Sequence, residues 1–146
     1  MMHPQKTFKS LNLYLLLILV FVLAACGGDA DDGASSEDIV VSSDAGRGEA
    51  LYKQTSIGAA SAPGCITCHS LEEGVALVGP SHAGIGDKAA NVVAGQEAVD
   101  YLEESIVDPD AHISEGFNAG VMYANYGRDL SDQEIADLVA FLLSLK

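Results

Sequence analysis

Cys65-Ile66-Thr67-Cys68-His69 is the stretch on which the reading of this chain turns. Two cysteines two residues apart, with a histidine directly after, form the C-x-x-C-H signal for covalent haem attachment. The chemistry requires that spacing. Two thiols on one short turn reach two vinyl groups of a single porphyrin, and the adjoining imidazole meets the iron from the same side. Other uses of the motif fit less well. A thioredoxin-type pair calls for a βαβ context, whereas the flanks here read as loop and helix. Structural zinc needs a fourth ligand and usually a second paired knuckle; His82 or His112 is available, but there is no second C-x-x-C. A Cys65–Cys68 disulfide leaves His69 without a role.

Outward from the motif, the sequence predicts helices and long loops. Ser131-Asp-Gln-Glu134 is a capping box. Behind it Ile135, Leu138, Val139 and Leu142 recur at i, i+3, i+4, i+7, one apolar stripe. A second helix is expected over about Gln96 to Val107, with Ala98, Tyr101, Leu102, Ser105 and Ile106 on one face and Asp108-Pro109 as its stop. A third begins near Asp44 and takes in Gly48, Leu51 and Tyr52. Glycine costs about 1 kcal/mol in a helix interior relative to alanine, so Gly48 points to another helix packed closely there. Lys53 to Gly64 and Gly74 to Gly86 read as loops rich in Gly, Ser, Ala and Pro. No stretch alternates as a strand does. The fold class is all-α, and long loops in so small a domain call for something further to pack against.

With these residues in view, the chain resembles the class I, monohaem cytochromes c from about Gly46 to Leu145. Gly48 with Tyr52 resembles the family's N-terminal helix, and Leu138 with Phe141 its C-terminal helix, two helices that cross closely. The resemblance implies three to five helices wrapped around one covalent haem c. It implies attachment through Cys65 and Cys68 and axial ligation by His69. Gly79-Pro80 matches the family's Gly-Pro, so the Pro80 carbonyl is expected to accept a hydrogen bond from His69 Nδ1–H and orient the imidazole. Met122 lies where the family places the sixth ligand. It is the one methionine after Met1 and Met2, in the loop Gly120-Val-Met-Tyr-Ala-Asn-Tyr-Gly127. Tyr123 departs from the family, which often has proline at that point. His82 and His112 compete for the sixth position and would give a lower reduction potential than Met/His ligation; otherwise both read as polar surface residues, His82 also as a haem-edge residue.

The N-terminal part reads as an address. Lys6 and Lys9 precede an apolar run, Leu13 to Ala25, of 13 residues. A membrane-spanning helix needs about 20, and a run of this length suits a signal peptide. Leu23-Ala24-Ala25-Cys26 resembles a bacterial lipobox. The expected organisation is therefore a lipoprotein signal peptide over residues 1–25, a lipidated Cys26 with an acidic flexible tether over 26–44, and a cytochrome c domain over 45–146. The tether is expected from its small residues and unopposed acids, which build no core. Export matches the motif, because haem c is attached outside the cytoplasm. The expected location is an extracytoplasmic membrane surface, periplasmic or on the outer face of the cytoplasmic membrane.

Charge sharpens the functional classes. The 146 residues carry a net charge of −14, which argues against nucleic acid, whose phosphates demand basic surfaces. No Gly-x-Ser-x-Gly elbow or phosphate-binding glycine loop is present. The resemblance implies an electron carrier and not an enzyme. It would shuttle one electron at a time between membrane-associated respiratory or photosynthetic complexes, such as a quinol-oxidising complex and a terminal oxidase. Docking is expected on basic or apolar surfaces, with Glu72-Glu73 and Glu103-Glu104 as candidate steering charges. Electron exchange is expected at a haem edge near Ile66 and Thr67. The alternative is a haem-based sensor or weak peroxidase with a labile sixth ligand, which Tyr123 favours.

Overall fold

A computed structural model describes residues 42–146. The expected signal peptide, Cys26 and most of the expected tether lie outside the described residues. Among the described residues, five α-helices and one small hairpin make up the regular structure. In chain order these are α1 (Ala45–Tyr52), β1 (Ser56–Ile57), β2 (Ala62–Pro63), α2 (Ile85–Lys88), α3 (Ala98–Val107), α4 (Tyr126–Asp129) and α5 (Asp132–Ser144). Single 3-10 turns occupy Cys65–Thr67 and Ala89–Asn91. None of the described helices is long and apolar enough to cross a membrane.

Two helices, α1 and α5, start at side-chain caps. The Asp44 side chain accepts a hydrogen bond from the Arg47 N–H and opens α1. Ser131 and Glu134 form the reciprocal capping box of α5. The expected stripe of α5 is buried, and Phe141 joins it. On α3 the buried residues are Tyr101, Leu102 and Ile106, and the helix ends against Pro109 with Asp108 as its C-cap. Its start differs from the sequence expectation by two residues, because Glu97 caps it in an extended conformation.

α1 and α5 meet at Gly48. A Cβ there would lie 1.9 Å from the Asp137 carbonyl oxygen and 2.9 Å from Phe141 Cβ. The contact explains a glycine inside a helix: backbone occupies the space a side chain would need. Beside it, Asp137 is buried and collects the Asp44 N–H at 2.7 Å, Arg47 Nε at 2.7 Å, Arg47 Nη2 at 2.8 Å and Gln133 Nε2 at 2.9 Å. These donors, with the Arg47 guanidinium first, hold the Asp137 carboxyl below the usual carboxylate range. Arg47 Nη2 and Gln133 Nε2 also both donate to the Ser42 carbonyl.

Two segments expected as plain loop contain short elements. Ser56 pairs with Pro63 and Ile57 with Ala62 in an antiparallel hairpin. Strands of two residues are too short for alternation to show in a sequence. The loop expected to end at Gly86 gives way to α2 one residue earlier, at Ile85.

Candidate haem site

The Cys65–Thr67 turn is held by short-range bonds. Thr67 donates through both its N–H and its hydroxyl to the Gly64 carbonyl. The N–H groups of Cys68 and His69 both reach the Cys65 carbonyl. One carbonyl thus fixes the second cysteine and the histidine relative to the first. Cys65 and Cys68 are unpaired thiols, and burial pushes the Cys65 thiol up to about 11.

His69 is buried, and its Nδ1 lies 2.9 Å from the Pro80 carbonyl oxygen. A carbonyl only accepts, so Nδ1 carries the proton and Nε2 keeps a free lone pair. Burial lowers the pKa of His69, and the Pro80 bond opposes that shift. The Gly79 N–H donates to the Cys68 carbonyl at 2.9 Å. A Cβ on Gly79 would stand 2.5 Å from His69 Cε1, so a glycine before Pro80 lets the loop close over the ring.

A cavity of about 770 Å³ opens beside this turn. Its wall includes Cys65, Cys68, His69, Pro80 and Met122. The volume falls within the roughly 300–1,000 Å³ of small-molecule and cofactor pockets. Tyr52, Leu102, Ile106, Leu138 and Leu142 supply apolar wall from α1, α3 and α5. The rim carries apolar side chains left in water: Leu77 is 52% exposed, Val78 54% and Val121 53%.

Met122 is half-buried against the core. The loop around it is tied down by its neighbours. The Tyr123 hydroxyl donates to the Asp129 carboxylate, and the Tyr126 hydroxyl donates to the Pro63 carbonyl. The two rings meet edge to face at 5.0 Å. Tyr126 opens α4, an element that the sequence reading took as loop. Burial pushes the Tyr126 phenol up to about 12. His112 is exposed and lines the same cavity, edge-on to Tyr101 at 5.9 Å.

His82 lines the same cavity, but its packing differs from the sequence expectation. Read as a haem-edge or surface residue, it lies half-buried with its ring stacked on that of His69, centroids 4.0 Å apart and planes inclined by 18°. Its Nδ1 is 3.1 Å from the Tyr52 hydroxyl. Burial, reinforced by the neighbouring His69, pushes the His82 imidazole down to about 3. The offset of three residues from Gly79 was visible in the sequence, but the stacking partner was not.

The donor set suits a covalently held haem: two thiols on one turn, an imidazole with one nitrogen committed, a thioether, and a largely apolar wall. Among the described residues, no group of three or more His, Cys, Asp or Glu side chains could hold a metal ion, so the zinc alternative gains no support there. A family model described as cytochrome c matches residues 45–146. The chain belongs to the cytochrome c family. Family membership implies a covalently bound haem c and haem-based electron transfer. Cytochromes c are generally electron carriers and not enzymes. Compared with curated proteins, the chain has no match.

Proposed function

We propose that this cytochrome c is a class I one-electron carrier with His69 and Met122 as axial ligands, working from a lipid anchor on Cys26. The observation that carries the reading is one cavity whose wall includes both thiols of the C-x-x-C pair, His69 and Met122. Haem c, when bound, supplies an Fe(III)/Fe(II) couple. Cys65 and Cys68 would hold the group as thioethers. His69 would offer Nε2 to the iron, with Pro80 fixing the tautomer and the ring. Met122 would supply the second protein ligand, and Met/His ligation would raise the potential relative to bis-His. The side chains of α1, α3 and α5 would keep water from the ring.

The proposed partners are membrane-associated redox complexes, a quinol-oxidising donor and a terminal oxidase or similar acceptor. Two features support docking near the cavity mouth: the exposed rim of Leu77, Val78 and Val121, and an acidic chain suited to a basic partner. A lipid on Cys26 would confine the domain at an extracytoplasmic membrane surface and raise its effective concentration there.

Expression with haem-maturation machinery, followed by optical spectra of both oxidation states, tests the core of the proposal. The expected result is covalent haem, a far-red charge-transfer band in the oxidised form, and no carbon monoxide adduct in the reduced form. Absence of that band together with ready carbon monoxide binding would show an open sixth position, the sensor or peroxidase alternative. Labelling with a lipid precursor in a bacterial host tests the anchor, with Cys26→Ala expected to abolish incorporation.

A further inference from the structure

We infer that His82, held by Tyr52, is a positioning residue that sets the orientation of the His69 ring; the inference rests on His69 being an axial ligand. His69 is gripped at more than the Pro80 bond. Its ring face lies against the His82 ring, at a centroid distance of 4.0 Å and an angle of 18°. His82 is in turn fixed at both ends. Its N–H donates to the Ser70 carbonyl at 2.8 Å, and its Nδ1 meets the Tyr52 hydroxyl at 3.1 Å.

The Tyr52 hydroxyl also reaches the His69 carbonyl at 3.4 Å. A hydroxyl has one proton to give, and a carbonyl can only accept. Both contacts are satisfied together when His82 Nδ1–H donates to the Tyr52 oxygen and the Tyr52 O–H donates to the His69 carbonyl. The result is a closed ring of contacts: His82 to Tyr52, Tyr52 to the His69 backbone, and the His69 imidazole back to His82. Tyr52 is 0% exposed and packed against Phe141 at 5.2 Å, so the ring is anchored in the α1–α5 core.

The consequence follows from geometry. The Pro80 bond fixes Nδ1 and the Gly79 backbone closes over the ring, which narrows the swing of the imidazole plane without a flat surface to align it. A flat ring stacked on its face removes the freedom that is left. Outer contacts of this kind orient a metal ligand and tune the metal.

The test uses the holoprotein with covalent haem and three variants. Ferric electron paramagnetic resonance reads the ligand-plane orientation, and potentiometry reads the midpoint potential. The parent should give one narrow low-spin signal. In His82→Ala the stack is gone, and the signal should broaden or split, with a shifted potential. His82→Phe keeps a flat ring and should keep the single signal, which also covers the case in which the alanine variant fails to fold. Tyr52→Phe should add a second low-spin species. Alanine and phenylalanine variants that both match the parent, or that change it equally, would overturn the inference. A parent without covalent haem, or one whose haem is not ligated by His69, would instead overturn the functional reading, and this inference with it.

Discussion

Met122 and Tyr123 set what the iron site would allow. Replacing Met122 with alanine is expected to open the sixth position, so that reduced protein binds carbon monoxide and the midpoint potential falls. An unchanged spectrum would exclude Met122 as ligand. Tyr123 occupies a position where proline would stiffen the loop, and it substitutes a hydrogen bond to the Asp129 carboxylate. Tyr123→Phe removes that tie and should therefore raise the affinity of ferric protein for imidazole or cyanide, as read by optical titration. The motif residues were legible because their chemistry is local: C-x-x-C-H and Gly-Pro are each a few residues long. His82 was not legible as a partner of His69, since a stacking contact depends on how the chain folds back between the two.

At the level of elements, caps and stripes carried the reading. The Ser131–Glu134 box and the Asp108-Pro109 stop lie within a turn of the helix ends that they define, so α3 and α5 could be located closely. Gly48 was legible as a crossing point because its helix cost demanded a cause. The hairpin and α4 were not, since elements of two to four residues leave no period to count, and Tyr126 is fixed by a bond to Pro63, 63 positions away. Gly48→Ala separates propensity from packing. Alanine favours the helix by about 1 kcal/mol, yet its Cβ would fall 1.9 Å from a backbone oxygen of α5. Overpacking of this kind costs about 1–3 kcal/mol or more, and the contact here is with backbone that cannot rotate away. The variant is expected to melt at lower temperature, and a higher melting temperature would show that α1 can shift away from α5 at little cost.

For the whole molecule, charge governs both stability and encounter. The folded pKa of Asp137 is depressed, chiefly by Arg47. Its contribution is therefore present above the unfolded carboxylate pKa of about 3.9 and is lost as pH falls through the lower folded value. Asp137→Asn should cost on the order of 1–3 kcal/mol at neutral pH and flatten the dependence of stability on pH below about 4, as measured by denaturant titration at a series of pH values. The acidic total of 21 Asp and Glu against 7 Lys and Arg predicts a rate of reduction by a basic redox partner that falls steeply as salt rises. A salt-independent rate would favour docking through the apolar rim alone.

The bonds around Ser42 have a mechanical meaning. Its carbonyl is held by Arg47 from α1 and by Gln133 from α5, and Asp137 ties the same two helices together. A pull arriving along the chain before Ser42 is thus borne as tension by the α1–α5 pair. α1 also carries Tyr52, whose hydroxyl meets His82, the ring stacked on His69. Tension on α1 would therefore be passed toward the His69 imidazole, so the same helix pair that bears the load also stiffens the candidate site.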